Sequence, residues 1–162
     1  MQYVSSIARG FIAGYEVGMY KNTNYVNPAQ CFGNETQTLI VTVFSDWNNG
    51  TFNWGNEVVN IQKILLLITD WCQYDEAVYD YLTYCYNGDS CEITNMVNTL
   101  LKKIFQVTTV ANDVAQVVME GLPQVTDTPA TIEAFTNRIG ADVGKLLRYA
   151  TDFDPTTITL AA

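Results

Sequence analysis

The sequence predicts an all-α, disulfide-stapled bundle of about five helices, with a central, long antiparallel helical hairpin and a short β-prone C-terminal tail. Three observations support this fold class: apolar residues recur at steps of three and four, residues 57–86 lack glycine and proline, and four cysteines form an even set. The 162 residues are enough for one core. We therefore expect one domain over residues 1–150 and a tail over residues 151–162.

The first predicted helix carries a glycine at every fourth position, Gly10, Gly14 and Gly18. A glycine inside a helix costs about 1 kcal/mol relative to alanine, so three in register indicate that another helix approaches this face closely. Two partners fit the pattern. A helix of the same domain is the more ordinary explanation, whereas a neighbouring subunit would make these glycines self-association residues.

Residues 21–35 are a predicted loop rich in asparagine, and residues 48–56 are a second loop. Between them, residues 36–47 place their apolar side chains on one helical face. Their β-branched content leaves a strand open as an alternative.

Two long helices are predicted in the middle of the chain, over residues 57–86 and 90–120. The turn sequence at residues 87–90, Asn-Gly-Asp-Ser, would reverse the chain between them into an antiparallel hairpin. The second helix contains a sustained heptad that is widened by further apolar residues, so we predict that it is the central helix, packed on several sides. The heptad residues are Ile93, Val97, Leu100, Ile104, Val107, Ala111, Val114 and Val118, and the widening residues are Met96, Leu101, Phe105, Val110 and Val117.

Thr128 as N-cap and Pro129 in the first turn predict a last helix that extends to about residue 150. The tail that follows has no local β partner, so it either docks on another surface or is disordered, and Ile158 and Leu160 are the residues expected to dock. The inward face of the last helix is predicted to carry Ile132, Phe135, Ile139, Val143, Leu146 and Ala150.

The cysteine spacings contain no C-x2-C motif of a zinc or redox site, so two disulfides are expected. If residues 57–86 form one continuous helix, Cys72 lies about 20 Å from Cys85. That distance is too great for Cys72 to reach Cys91 at the hairpin tip. The predicted pairs are therefore Cys85 with Cys91 and Cys31 with Cys72.

Paired cysteines persist mainly in oxidising compartments, and glycosylation sequons begin at Asn34 and Asn49. Both features predict an extracellular glycoprotein, secreted or at the cell surface. The alternative is a cytosolic core with four reduced thiols and two chance sequons. The first residues lack the basic and apolar regions of a signal peptide, so we expect that a signal was removed or was never present. The longest apolar run, residues 64–68, is too short to span a membrane.

Charge and composition bear on function mainly by exclusion. The 17 acidic and 8 basic residues give a formal charge of −9, which opposes nucleic-acid binding. Histidine, the commonest general base and metal ligand, is absent. We therefore expect no enzyme, no metal and no cofactor. A glycan-active enzyme that uses acids between Asp70 and Asp80 stays a distant alternative.

The favoured functional hypothesis is a structural protein that self-associates into an extracellular assembly or filament. The glycine-lined helix, the low charge density, the unpaired tail and the surplus aromatic residues support it, and exposed aromatic rings would also suit glycans as partners. The alternative is a monomeric helical carrier of a lipid or another apolar ligand, for which the wide apolar stripes would have to enclose a cavity.

Overall fold

The computed structural model describes residues 2–28, 31–33, 36, 38, 41, 42, 45, 54–66, 72 and 75–155. These residues are mainly helical and contain no strand, which confirms the all-α prediction. Helices with defined bounds are α1 (Gln2–Tyr20), α2 (Trp54–Leu66), α3 (Asp75–Asn87), α4 (Ile93–Lys102), α5 (Ile104–Met119) and α6 (Pro129–Thr151). The backbone is also helical at Thr36, Thr38, Val41, Thr42 and Ser45, in agreement with the helix predicted there.

The first and last helices, α1 and α6, form the centre of the fold. Gly14 of α1 lies so close to α6 that an added Cβ would stand 1.9 Å from the carbonyl oxygen of Asn137. Gly140 and Gly144 of α6 face α1 in the same way. Successive glycines of α1 meet successive turns of α6, so the two helices run in the same direction with their backbones in contact.

This arrangement corrects part of the predicted inward face of α6, of which Ile132 and Ala150 are buried as expected. Its buried face consists largely of small residues, because only these permit the close approach to α1, and Val143 of the predicted face is exposed. The buried residues of α6 are Ile132, Thr136, Gly140, Asp142, Gly144, Ala150 and Thr151.

The predicted central hairpin is also corrected. Cys72 has a turn conformation between α2 and α3, so residues 57–86 are not one continuous helix. The second long helix is interrupted at Lys103, whose φ of −104° and ψ of 26° separate α4 from α5. These two helices lie on the outside of α6 and contact it along one edge, so they do not form the centre of the bundle.

An aromatic cluster joins the end of α6 to α1 and α3. Phe153 is buried, and its ring meets those of Tyr20, Tyr81 and Tyr84 edge-on at centroid distances of 5.2–5.7 Å. The Tyr84 hydroxyl donates a hydrogen bond to the carbonyl of Thr151 at 2.8 Å. The packed part of the chain therefore continues past residue 150 into the region predicted to be a tail.

Both predicted disulfides are present, Cys31–Cys72 and Cys85–Cys91, and no cysteine is free. The Cys85–Cys91 bond encloses the turn between α3 and α4, which includes a short 3-10 helix at Asp89–Cys91. At the start of α6, the Thr128 side chain accepts a hydrogen bond from the backbone N–H of Thr131 and caps the helix as predicted. Among the helices that the structure describes, none is long and apolar enough to cross a membrane.

Candidate interaction surface

One edge of α4 and α5 packs on α6. Val110 and Val117 are buried along this edge at 2% and 1% exposure. Lys103 forms an ion pair with Asp152 beside the break between the two helices. At the far end of α5, Arg138 of α6 makes a two-pronged contact with Glu120, in which the Nη2–Oε1 distance is 3.1 Å.

These contacts fix how α4 and α5 are rotated against α6. The hydrogen bond from Arg138 also lowers the pKa of Glu120, as expected for a carboxylate that faces a guanidinium group. The loop after α5 is held as well, because the Tyr3 hydroxyl donates a hydrogen bond to the carbonyl of Pro123 at 2.9 Å.

The side of α4 and α5 next to this edge, together with Leu122 of the following loop, is an exposed and largely apolar stripe, here named the outer seam. Its eight residues follow one another at alternating steps of four and three, and every one of them is exposed. Leu101 and Leu122, for example, are 63% and 65% exposed. The residues are Val97, Leu101, Ile104, Thr108, Ala111, Ala115, Val118 and Leu122.

Large apolar side chains flank the outer seam. Phe105 is 86% exposed, and Ile93 and Met119 are exposed to a similar degree. From Ile93 to Met119 the surface extends about 40 Å at 1.5 Å per residue. None of the seam residues or these three neighbours is charged, although the whole chain carries a formal charge of −9. Large exposed apolar surfaces are more common at interaction sites than elsewhere on soluble proteins, so the outer seam is the candidate interaction surface.

A second exposed apolar surface lies on α2. Val58, Val59, Ile61 and Leu65 are each 46–54% exposed. They occur at short helical spacings within one 13-residue helix, so the surface is shorter than the outer seam.

The glycines that the sequence singled out for self-association face α6 of the same chain. A Cβ on Gly10 would lie 2.0 Å from Thr136 Oγ1, and one on Gly18 would lie 2.0 Å from the carbonyl oxygen of Ala141. This is the contact within one domain that the spacing left open as the more ordinary explanation. The other self-association residues, Ile158 and Leu160, and the sequon residues Asn34 and Asn49 lie outside the described residues.

Four tyrosines among the surplus aromatic residues divide into two groups. Tyr79 and Tyr86 are 70% and 92% exposed and remain available for contacts. Tyr20 and Tyr84 instead belong to the aromatic cluster around Phe153.

The most perturbed acid is Glu16 of α1, which sequence reasoning did not single out. It is 6% exposed, and burial raises its pKa to about 7. Burial also raises the pKa of the adjacent Tyr15 to about 12. Because ionisation of a buried carboxyl is unfavourable, the protonation of Glu16 affects the stability of the fold. Of the acids considered for glycan chemistry, Asp80 is half-buried.

No group of three or more metal-binding side chains occurs within the described part of the chain. Comparisons with known proteins find no match, since no family model, curated protein or solved structure is significantly similar to the chain. Function must therefore be inferred from the surface of the molecule itself.

The outer seam is the feature that sequence reasoning assigned wrongly. Val97, Leu101, Ile104, Ala111 and Val118 of the seam were included in the apolar stripe of a central helix, whereas α6 covers only one edge of that stripe. The width of the apolar stripe was the sequence signal for a second, uncovered apolar face. A second heptad can be read through Val97, Leu101 and Ile104, and one packed neighbour cannot cover both heptads.

Proposed function

We propose that this protein is a secreted, glycosylated structural protein that self-associates into an extracellular assembly. The observation that carries the proposal is the outer seam, an uncharged apolar surface about 40 Å long that the described part of the chain leaves exposed. A helix with apolar residues on two sides is stable in water when both sides are covered.

The two disulfides and the sequons at Asn34 and Asn49 support the extracellular part of the proposal. The exposed residues of α2 supply a second apolar surface. Two different surfaces are needed if subunits are to extend into a filament, because a single self-complementary surface closes after two copies.

Carriage of an apolar ligand by a monomer is the alternative. A carrier needs its surplus apolar residues around an internal cavity. Here the surplus side chains, such as Leu101 and Phe105, lie on the outside of α4 and α5. This placement favours contact between macromolecules.

The proposal is tested with the full chain produced in a eukaryotic secretory host, where disulfides and glycans form. Light scattering after size-exclusion chromatography should give a mass that rises with protein concentration above the 18.1 kDa of one chain, after the glycan mass is subtracted. Negative-stain electron microscopy of the concentrated fractions should show particles of uniform shape or filaments. A monomer at every concentration would contradict the proposal, and a co-purifying lipid in that monomer would favour the carrier.

A further inference from the structure

We propose that Asn87 is a site of spontaneous deamidation, which converts its neutral amide into a carboxylate at the C-terminal end of α3. Asn87 is the last residue of this helix, and the chain then turns through Asp89–Cys91 into α4. The Cys85–Cys91 disulfide closes the turn. The inference goes beyond the proposed function and does not depend on it, because it follows from the chemistry of this one turn.

The residue after Asn87 makes its amide reactive. In deamidation the backbone nitrogen of the next residue attacks the side-chain amide carbon, and a side chain on that next residue hinders the attack. Gly88 has no side chain. Every other asparagine in the described part of the chain precedes a residue that carries one, as Asn24 precedes Tyr25. Asn87 is therefore the asparagine of these residues that should react first.

The structure leaves both reacting groups accessible. Asn87 and Gly88 are exposed, and within the described residues the Asn87 side chain has no hydrogen-bond partner that would hold its amide. Gly88 is extended, with φ of −145° and ψ of 162°, and the nearest atom to an added Cβ is the Tyr84 carbonyl oxygen at 3.7 Å. Helix ends fray, so Asn87 can leave the helical conformation and bring its amide to the Gly88 nitrogen.

The reaction consumes only water. A bond forms between the Gly88 nitrogen and the side-chain amide carbon of Asn87, the N–H proton passes to solvent, and the amide nitrogen leaves with a solvent proton as ammonia. Water then opens the resulting succinimide ring at one of its two carbonyl carbons. One opening gives an aspartyl residue, and the other gives an isoaspartyl residue, whose main chain is longer by one carbon. Neither step requires an oxidant or a reductant.

The new carboxylate lies where negative charge is unfavourable. The C-terminal end of a helix carries a partial negative charge, and the last turn of α3 has no basic residue to offset it. Asp89 lies two residues further along the chain. The Tyr84 hydroxyl, which donates to the carbonyl of Thr151, belongs to the same last turn. We therefore expect the modification to loosen the end of α3 against α6.

Ageing the full, disulfide-bonded chain in mildly alkaline buffer tests the proposal. Trypsin places Asn87 in the peptide of residues 64–102, apart from the pair Asn49-Gly50, which lies outside the described residues. We expect this peptide to gain the mass difference between an amide and an acid, and to become a substrate for isoaspartyl methyltransferase. Fragmentation should place the change at Asn87. Gly88→Ala is the matched control and should react at least about tenfold more slowly, because its methyl group hinders the attack.

Three results would overturn the site. In the first, Asn87 stays intact in the folded chain for a period in which the reduced, unfolded chain deamidates there. In the second, G88A deamidates as fast as the wild type, so that Gly88 is not the cause of the reactivity. In the third, another described asparagine reacts before Asn87.

The effect on α3 is measured on the aged protein, which anion exchange separates by its additional negative charge. Hydrogen–deuterium exchange of this fraction should be faster than that of fresh protein in the last turn of Asp75–Asn87 and unchanged in Gln2–Tyr20. Equal exchange of the two samples in α3 would contradict the loosening.

Discussion

At the residue scale, glycine sets the distance between α1 and α6. Gly10, Gly14 and Gly18 meet the backbone of α6, and Gly140 and Gly144 meet α1 in return. In an exposed helix, replacement of a glycine by alanine gains about 1 kcal/mol. The expected sign is reversed here, because the added carbon would occupy space that the facing backbone already fills.

We expect Gly14→Ala to lower the free energy of unfolding by about 2–3 kcal/mol, since its Cβ would lie 1.9 Å from the Asn137 carbonyl oxygen. Gly88→Ala is the matched control. Its backbone is extended, with φ of −145°, and its Cβ would meet its nearest neighbour at 3.7 Å. The control should shift stability by less than about 0.5 kcal/mol. Denaturant unfolding measures both, and a G14A variant as stable as the wild type would show that the two helices are not in backbone contact.

Glu16 predicts a pH dependence of stability. Burial raises the pKa of this carboxyl from 4.5 to about 7, so between these values the folded chain holds a proton that the unfolded chain has lost. Stability from this group is therefore complete below pH 4.5 and declines as the pH rises towards 7. Above about pH 7 the loss is complete.

Glu16→Gln removes this dependence, because glutamine does not ionise. Relative to the wild type at pH 8, we expect the variant to gain about 1–2 kcal/mol of stability, a figure that allows for screening of the carboxyl by solvent. At pH 4 the gain should disappear. Unfolding curves at both pH values measure the difference, with the exposed Glu92→Gln as control. An equal gain at pH 4 and pH 8 would mean that Glu16 does not ionise in this range.

At the element scale, the outer position of α4 and α5 shows what the sequence can and cannot predict. The helical conformation of this region, the Cys85–Cys91 pair and the cap at Thr128 follow from local signals, whereas the Cys31–Cys72 pair followed by elimination. The sequence also showed that the apolar stripe is wide. It could not show how many neighbours cover that stripe, because Val110 and Val97 are equally apolar and only tertiary packing separates the buried edge from the exposed one.

The pairing of the cysteines was correct although one of its premises was wrong. It assumed a continuous helix over residues 57–86, and Cys72 instead lies in a turn between α2 and α3. The prediction survives because Cys85 and Cys91 flank a tight turn. That proximity is local and does not depend on how the preceding helix runs.

The two disulfides should contribute unequally to stability. Cys31 and Cys72 are 41 residues apart, whereas Cys85 and Cys91 are 6 apart. Loop-closure entropy then gives about 4 kcal/mol for the first bond and about 2 kcal/mol for the second. Replacing each pair by alanines and measuring denaturant unfolding tests this order. A larger loss from the Cys85–Cys91 pair would indicate that strain or packing, and not the unfolded chain, controls the effect.

At the scale of the whole molecule, the two ends of the sequence form the centre of the fold. The glycines of α1 predicted a close helix crossing, yet the partner helix is more than 100 residues away. Gly140 and Gly144 repeat the four-residue spacing in α6 and were the signal that could have identified it. Because α1 packs along α6, α4 and α5 pack on another side of α6.

In this architecture one pair of helices is covered by its own chain, whereas another pair has an exposed apolar face. The α1–α6 pair covers its own glycine faces, so its packing is complete within one chain. The outer seam has its apolar side chains exposed, and the self-association proposed above would cover them. Self-association should therefore change the protection of α4 and α5 and leave that of α1 and α6 unchanged.

Hydrogen–deuterium exchange of the full chain at low and high protein concentration tests this central claim most directly, because backbone protection reports local opening element by element. We expect peptides from Ile93–Lys102 and Ile104–Met119 to exchange more slowly in the concentrated sample, with peptides from Gln2–Tyr20 and Pro129–Thr151 unchanged. Exchange in α4 and α5 that is identical at both concentrations, in a sample that light scattering shows to be associated, would contradict the account.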